Sequence, residues 1–451
     1  MMERNALLVA TIVTMLGLSG LAYAQAQPAA DSAPPDPAAP LVSAWEDYPT
    51  VDPILLSVGP GARALDPVAV PAATCRAGKK WCNTVVEIIT RDLTLSGFFK
   101  VLDAEAYVAD MSRESLSDTK WDDWFNVGAK YLIKVEVQGA GKSNFALSFR
   151  LYDVNLRKSM KLEYQEAAVS AKGVRRAVHK FVNEVIRVIT GTKGPFGGAI
   201  AYALRTGQGS KGIFTIAVDG MGTSSRSPAD SINMLPSLAY GHLLYTSFRP
   251  GEPAIFLDGK QISEPGRAYR GARMRPDGKM IAVSADSGSG QSDIFLMTID
   301  GKLEQNLTEH WADEVSPAWS PGGGQMAFVS NRTGSPQIYV MNGDGSGQRR
   351  LTFAGGYNST PDFGPDGLIV FAGMDEAHSD IFVVNLSGEI TRITQDQGNN
   401  KDPTWSPDGR HLAFVSDRDG KPHIYISTAD GRYQFPITQK GGPYSTLFWA
   451  R

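Results

Sequence analysis

The sequence feature that most constrains the fold is a short motif that recurs through the second half of the chain. In its clearest copy, residues 403–409, an apolar strand containing Trp405 ends in the turn Ser406-Pro407-Asp408-Gly409. Proline sets φ at the first central position of such a turn, and glycine tolerates the positive φ that reverses the chain. Residues 411–416 then read as a second, half-buried strand. A two-stranded unit cannot bury both of its faces alone, so its repetition is what makes a fold possible.

Similar turns follow Trp319, Phe363 and Met274, at intervals of about 42–45 residues. A second strand follows each turn, then a third strand, and then a fourth that ends in a Leu-Thr or Ile-Thr pair. The four pairs are Leu307-Thr308, Leu351-Thr352, Ile393-Thr394 and Ile437-Thr438. Four strands per unit at this period are the signature of β-propeller blades.

The number of units predicts how the propeller closes. Residues 200–202 and 213–216 resemble second and third strands that no turn motif precedes, whereas residues 446–449 resemble a first strand that no blade follows. We therefore predict a six-bladed all-β propeller over residues 199–451, closed by pairing of the C-terminal strand with the first blade. Such closure leaves no sheet edge exposed.

The N-terminal third predicts an exported chain with a smaller domain before the propeller. Arg4, an apolar stretch and Ala22-Tyr23-Ala24 make residues 1–24 a signal peptide, cleaved near Ala24 or Ala26, and no segment is long enough for a membrane span. Residues 25–50 are rich in Pro and Ala and are predicted to be disordered, either as a spacer or as a tail that orders on a partner. Residues 51–191 predict a mixed α/β domain, and residues 192–198 predict a hinge. Its predicted strands are 54–58, 68–70, 131–137, 145–152 and 159–164, and its predicted helices are 85–98 and 172–190.

Cys75 and Cys82 are the only two cysteines. In an exported chain, two thiols seven residues apart with Gly78 between them favour a loop disulfide. Free buried thiols are the alternative, whereas a redox pair or a metal site would need a different spacing or more ligands.

The chain lacks the common catalytic motifs. Its six histidines are scattered, and neither a His-Glu-x-x-His motif nor a Gly-x-Ser-x-Gly nucleophile motif is present. Asp-Gly pairs such as Asp408-Gly409 are typical of hairpin turns rather than of calcium loops. A net charge of −3 argues against nucleic acid or a lipid surface as the main partner. We therefore expect no enzymatic activity, no cofactor and no metal site.

The loops that lead into the first strands of the blades are rich in aromatic, amide and charged residues. In a propeller these loops lie on one face around the central channel, where aromatic anchors and a polar rim suit protein recognition. The alternative is that they are ordinary solvated loop tips. The candidate partner-binding residues are His310, Trp311, Asp313, Glu314, Tyr357, Asn358, Asn399, Asn400, Lys401, Asp402 and Tyr444.

Several features together point to a known family: the blades, the hinge at 189–196 that leads into residues 200–202, and residues 124–137 and 151–153. Through them the chain resembles the TolB family. These proteins are periplasmic propellers of the Tol-Pal cell-envelope system. The resemblance implies a monomeric, non-enzymatic scaffold that binds the lipoprotein Pal through the propeller face and TolA through the mature N-terminus. It also implies a role in outer-membrane integrity and in envelope constriction at division, with other outer-membrane lipoproteins as further candidate partners.

The sequence departs from the family pattern in several places, including residues 269–273 and the Cys75/Cys82 pair, and two departures bear directly on the main candidate sites. Asp313-Glu314 stands where the family has a polar amide pair, and the extra residues 25–50 precede the first strand. The TolA-binding segment lies either at the tip of this longer arm or at about residues 45–57, behind a spacer. The candidate TolA-binding residues are Trp45, Asp47, Tyr48 and Asp52. Two other interpretations stay open: a propeller hydrolase or lyase acting on peptide or glycan, and an envelope propeller with a different ligand.

Overall fold

The structure, a computed structural model, describes residues 64–107, 114–141, 144–288, 290–375 and 378–450. The predicted signal peptide, the Pro/Ala-rich segment, the strand at 54–58, and Trp45, Asp47, Tyr48 and Asp52 all lie outside the described residues. Within the ranges described, every helix is too short or too polar to cross a bilayer.

The first part of the chain folds as an α/β region around one sheet. The strand order is β3-β1-β4-β5-β6, with β2 paired to β4; β1, β2 and β3 run parallel to their partners, and β4, β5 and β6 form an antiparallel meander. Helices α1 and α3 contact each other, and both contact strands of this sheet. The elements are β1 Asp66–Ala69, β2 Thr74–Arg76, α1 Lys79–Leu95, β3 Phe99–Val101, a 3-10 turn Ala104–Ala106, α2 Trp121–Asn126, β4 Tyr131–Gly139, β5 Asn144–Asp153, β6 Lys158–Ser170, a 3-10 turn Ala171–Gly173 and α3 Val174–Thr190.

Helix α1 begins six residues earlier than the apolar spacing predicts, because its first turn is tied to the preceding strand. Cys75 in β2 and Cys82 in α1 form a disulfide, with their Cα atoms 5.8 Å apart. Helix α3 ends as expected: Gly191 adopts φ 82°, which glycine tolerates, and its N–H donates to the carbonyl oxygen of Arg187 at 2.8 Å.

The rest of the described chain forms six four-stranded antiparallel sheets, here numbered I to VI. The predicted fold class, an α/β region followed by a six-bladed propeller, is confirmed. The strands are, for sheet I, β7 Ala199–Gly207, β8 Ser210–Ala217, β9 Ser224–Ser225 and, from the chain end, β30 Tyr444–Trp449; for sheet II, β10 Asn233–Ala239, β11 His242–Ser247, β12 Ala254–Leu257 and β13 Lys260–Gln261; for sheet III, β14 Tyr269–Met274, β15 Met280–Asp286, β16 Ser292–Thr298 and β17 Leu303–Asn306; for sheet IV, β18 Glu314–Trp319, β19 Gln325–Ser330, β20 Gln337–Asn342 and β21 Arg349–Arg350; for sheet V, β22 Tyr357–Phe363, β23 Ile369–Asp375, β24 His378–Val384 and β25 Ile390–Arg392; for sheet VI, β26 Asn400–Trp405, β27 His411–Ser416, β28 His423–Thr428 and β29 Gln434–Pro436.

The first strands of the six sheets form a ring around the central channel. Each contacts the next, in the order β30, β10, β14, β18, β22, β26 and back to β30. In sheet I, β30 is the first strand and pairs with β7, with Tyr444 opposite Leu204 and Trp449 opposite Ile200. The recurrent tryptophans are core residues: Trp405 packs between sheets V and VI, and Trp319 packs between sheets III and IV.

Every first strand carries a β-bulge at the same position, where it faces the channel. One residue of each bulge has a positive φ, which is uncommon outside glycine and adds local twist. These six residues line the channel: Leu235, Gly271, Ser316, Thr360, Asp402 and Thr446.

Candidate protein-binding face

The sheet registers place the predicted loops at one end of the propeller. In sheet IV, Glu314 opens the first strand, lies opposite Ser330 at the end of the second, and Ser330 lies opposite Gln337 at the start of the third. The loops into the first strands therefore share a face with the turns between second and third strands; we call this end the loop face. The α/β region contacts the other end, where the His411 ring lies 2.9 Å from the carbonyl oxygen of Ser96.

Trp311 is the most prominent of the predicted residues on the loop face. Its side chain is 70% exposed, and its ring lies 5.3 Å from that of His310. The His310 ring is held in place, since its Nδ1 accepts a hydrogen bond from the Ala312 N–H at 3.1 Å. Burial and the nearby Arg332 lower the pKa of His310. Trp311 is thus a large apolar side chain that is exposed to solvent and lies beside a His310 ring held in place by a hydrogen bond.

Three predicted residues, Glu314, Asn358 and Asn400, are buried rather than exposed. They occupy the same position in three blades, directly before the bulged part of the first strand. Glu314 forms an ion pair with Arg332 at 2.9 Å and accepts a hydrogen bond from Ser330 at 2.8 Å. Burial nevertheless raises the pKa of Glu314 to about 7. These side chains belong to the interior beneath the loop face.

The two asparagines connect each blade to the one before it. Asn358 donates to Gln337 Oε1 at 2.8 Å, and Asn400 donates to Asp380 Oδ1 at 3.1 Å. Both acceptors lie at the start of the third strand of the preceding sheet. Because each bond joins two blades, the row of buried polar groups holds the blades in register.

A hydroxyl just after the fourth strand completes this network in all six sheets. It accepts a hydrogen bond from a third-strand N–H, at 2.9–3.1 Å, and therefore satisfies a buried backbone donor. The pairs are Ser227 with Ile213, Ser263 with Ile255, Thr308 with Ile294, Thr352 with Ile338, Thr394 with Ile381, and Thr438 with Ile424.

Sequence reasoning used the Leu-Thr and Ile-Thr pairs only as strand ends and missed the third-strand residues that bind them. Thr308 donates to Asp293 Oδ1, Thr352 donates to Gln337 Oε1, and Thr394 donates to Asp380 Oδ1. A signal was present: a polar residue precedes the isoleucine of the third strand in four successive blades, and His423 is the fourth example.

Asp313 and Asn399 hold their loops to the neighbouring turns. Asp313 Oδ1 accepts from the Ser292 N–H at 3.1 Å, and the Asp313 N–H donates to Asn331 Oδ1 at 2.9 Å. Asn399 donates from Nδ2 to Asp417 Oδ2 at 3.0 Å. Both residues are half-buried, so they shape the loop face and also reach its surface.

The remaining predicted residues, Tyr357, Lys401, Asp402 and Tyr444, are half-buried. Asp402 lines the channel; its Oδ2 accepts from the Thr446 N–H at 2.8 Å, and burial raises its pKa. Burial also raises the pKa of Tyr357 and of Tyr444. The loop face therefore combines aromatic rings with both signs of charge.

One exposed aromatic residue was missed by sequence reasoning. Phe353 directly follows the Leu351-Thr352 pair, is 73% exposed, and has the Arg350 guanidinium 4.9 Å from its ring. The residue after the other three Leu-Thr or Ile-Thr pairs is polar (Glu309, Gln395 and Gln439), so the repeat gave no hint of a surface aromatic there.

The described residues bring together one group of three potential metal donors, and it lies away from the loop face. Asp92, His179 and Asp219 have ligand atoms within 4.8 Å of one another. However, the Arg175 guanidinium donates to both carboxylate oxygens of Asp219, so an organic cation already occupies the place that a metal would take. This group is an ion-pair cluster.

Comparison with known proteins agrees with the architecture. Residues 186–373 and 356–450 match the family model described as the TolB beta propeller domain, and residues 55–160 match the TolB amino-terminal domain. The chain belongs to the TolB family. The crystal structure of TolB from Acinetobacter baumannii has the same fold, with a TM-score of 0.73 at 21% identity, covering 86% of this chain and 98% of that one.

Curated TolB relatives align over shorter stretches. The Tol-Pal system protein TolB of Anaeromyxobacter dehalogenans (strain 2CP-1) is 37% identical over 241 residues, which are 52% of this chain and 54% of that protein. The TolB homolog of Chlorobium luteolum is 32% identical over 184 residues, 39% of this chain and 41% of that protein. The chain thus spans about half the length, or less, of the curated relatives it matches.

Proposed function

We propose that this protein is a non-enzymatic periplasmic scaffold of the Tol-Pal system. In this proposal the loop face binds the lipoprotein Pal, and a segment near the N-terminus, containing Trp45, Asp47, Tyr48 and Asp52, binds TolA. Membership of the TolB family supports the assignment to the Tol-Pal system. Through these two contacts the protein would support outer-membrane integrity and envelope constriction at division.

The observation that carries the Pal proposal is the surface of the loop face. Trp311 is 70% exposed, in a loop that hydrogen bonds hold in place. Exposed aromatic anchors on preorganised loops suit protein recognition, because little side-chain entropy is lost on binding. Asp313, Asn399, Lys401 and Tyr444 supply the polar rim around this anchor.

The buried residues narrow the proposed contact set. Glu314, Asn358 and Asn400 direct their polar groups into the network between blades, so their proposed role is to position the loops. Trp311 and Asp313 are the proposed direct contacts in the loop before sheet IV.

Calorimetric titration of the mature protein with the soluble Pal domain of the same organism tests the proposal. Trp311→Ala is expected to weaken binding by roughly 30-fold or more, as truncation of an interface anchor costs about 2 kcal/mol or more. Phe353→Ala removes an equally exposed aromatic from the loop before the next sheet and is the control that shows whether the loss is specific to Trp311. Undiminished binding by Trp311→Ala would place the Pal interface elsewhere, and no binding by the wild type would refute the function.

A second titration, with the periplasmic part of TolA, tests the N-terminal proposal. Deletion of residues 25–50 removes Trp45, Asp47 and Tyr48 and is expected to abolish TolA binding. Replacement of residues 25–44 alone with a Gly/Ser linker keeps all four candidate residues. Retained TolA binding would show that residues 25–44 act as a spacer, and lost binding would show that they contain the docking segment. Retained binding after the deletion would show that TolA docks elsewhere.

A further inference from the structure

The connection between the α/β region and the propeller is a glycine turn, which the Gly198 N–H closes by donating to the Pro195 carbonyl oxygen at 3.2 Å. Its pivot is Gly197, and opening breaks this one turn hydrogen bond. Phe196 is tied to helix α3, since Asn183 donates to its carbonyl oxygen at 2.6 Å and accepts from its N–H at 3.1 Å. Gly198 already belongs to the propeller, because its carbonyl oxygen accepts from the Val218 N–H at 3.3 Å. Gly197 lies between these two anchors with φ 90°, and a Cβ there would meet nothing within 4 Å. A single glycine thus joins two separately anchored bodies.

Away from this pivot, the two parts meet at sheet VI, where the His411 ring lies 2.9 Å from the Ser96 carbonyl oxygen, and at one turn of sheet I. Asp219 follows β8, and its side chain is 1% exposed. Arg175 of α3 donates from Nε to Asp219 Oδ2 at 2.7 Å, and its Nη2 donates to Oδ1 and to the carbonyl oxygen of Met221. Arg91 of α1 donates to the Asp219 carbonyl oxygen, and the His179 ring nitrogen Nε2 lies 3.4 Å from Oδ2.

All of the cations that face this carboxylate come from the α/β region. Arg175 and His179 are the charged groups that offset its burial and lower the pKa of Asp219 to about 2. Asp92, on α1, sits on the other side of His179, with its Oδ2 2.7 Å from Nδ1. The Asp92 Oδ1 atom is buried without a hydrogen-bond partner, so the cluster is not arranged for maximum stability.

Sheet VI carries a further polar contact, close to the pivot. Arg410 donates from Nη2 to Thr192 Oγ1 at 2.6 Å and to the carbonyl oxygen of Thr190 at 3.2 Å. Because Thr190 and Thr192 adjoin the connection itself, this contact can persist while the far side of the interface opens. Polar interdomain contacts of this kind rehydrate when they separate, which makes relative motion the default expectation.

We propose that the α/β region opens and closes on the propeller about Gly197, and that Asp219 with Arg175 and His179 is the latch that holds the closed form. Separation exposes both halves of the latch to water, so neither body has to unfold. The device is independent of what the loop face binds, since it lies at the opposite end of the propeller.

Single-molecule distance measurement on the full mature chain tests the latch. Dyes attached at Leu156→Cys in the α/β region and Ile299→Cys in the propeller use two exposed positions and leave the Cys75–Cys82 disulfide intact. Asp219→Asn keeps the size of the side chain and removes its charge. It is expected to increase the open population by roughly tenfold, as for the loss of one charge-assisted bond.

Two further variants make the result decisive. Arg175→Gln removes the other partner and is expected to give the same open form, with little added effect in the double variant. Asp230→Asn breaks an exposed Asp–Arg pair with Arg249 inside the propeller and is the matched control. Hydrogen exchange of the propeller strands should stay at the wild-type level in Asp219→Asn, Arg175→Gln and Asp230→Asn.

Three outcomes would overturn the proposal. Wild-type distance distributions in both Asp219→Asn and Arg175→Gln would show that the cluster holds nothing closed. Loss of exchange protection throughout the propeller in Asp219→Asn would show that Asp219 stabilises the blade rather than the interface. An equal response to Asp230→Asn would show that the change is nonspecific.

Discussion

Glu314 gives the sharpest test of the network beneath the loop face, because its surroundings define how its charge responds to pH. The side chain is completely buried, and burial raises its pKa from 4.5 to about 7. The hydrogen bonds from Arg332 and Ser330 favour the charged form but offset the burial only in part, and the nearby Asp293 carboxylate also raises the pKa of Glu314. The folded protein therefore holds this proton more tightly than the unfolded chain does.

The sign of the effect follows from that difference. Below pH 4.5 the carboxyl is protonated in both states and its titration costs the fold nothing. Above pH 7 the full cost applies, about 3 kcal/mol of unfolding free energy at about 1.4 kcal/mol per pKa unit. Glu314→Gln stays neutral throughout, so its stability relative to wild type should rise between pH 4.5 and 7 and then level off.

Urea unfolding at several pH values between about 4.5 and 7.5, followed by tryptophan fluorescence, measures this difference. Any geometric cost of the amide adds a constant offset, and only the pH-dependent part is compared. Asn400, at the equivalent position of sheet VI, already accepts from Arg418 at 3.1 Å, so an amide beside an arginine is compatible with the fold. A stability difference that stays constant across this pH range would refute the reasoning.

Two further changes test other parts of the fold. Thr394→Val removes a hydroxyl that accepts from one backbone N–H and donates to buried Asp380, so it should lower the unfolding free energy by about 1–3 kcal/mol. The control Thr391→Val changes an exposed residue and should lie within about 0.5 kcal/mol of wild type. Equal thermal shifts for the two variants would contradict this prediction. Replacing Cys75 and Cys82 with serine opens a short loop and should cost about 2 kcal/mol, with exchange protection lost first at the start of helix α1; unchanged protection there would show that the disulfide does not hold the helix start.

The propeller could be predicted from the sequence because its signals are local and repeated. Each Ser-Pro-Asp-Gly turn reports on the two strands beside it, and the period then supplies the number of blades. The α/β region was predicted less completely. Strands Thr74–Arg76 and Phe99–Val101 are only three residues long, and helix Trp121–Asn126 has six residues, so none is long enough to show a periodicity.

The burial of candidate site residues could not be predicted, because the partners that bury them are distant in sequence. Asn358 is 21 residues from Gln337, and Asn400 is 20 residues from Asp380. An asparagine at the mouth of a loop looks the same in the sequence whether it faces solvent or the preceding blade. The polar residue before the isoleucine of the third strand, which recurs in four blades, was the available signal, and it becomes meaningful once the blades are placed side by side.

The difference between buried and partly exposed loop residues also decides how Asp313 and Glu314 can affect the binding of a partner. Glu314 is closed off from solvent, so a charge change there can reach the surface only through its neighbours, such as Arg332 and the half-buried His310. Asp313 is partly exposed, and its N–H donates a hydrogen bond to Asn331 Oδ1 that joins the loop to the adjacent turn. If the loop face binds Pal as proposed, replacing Asp313 should change the contact chemistry directly. Replacing Glu314 should instead act through loop position, so its effect on binding should follow its effect on stability as the pH is varied.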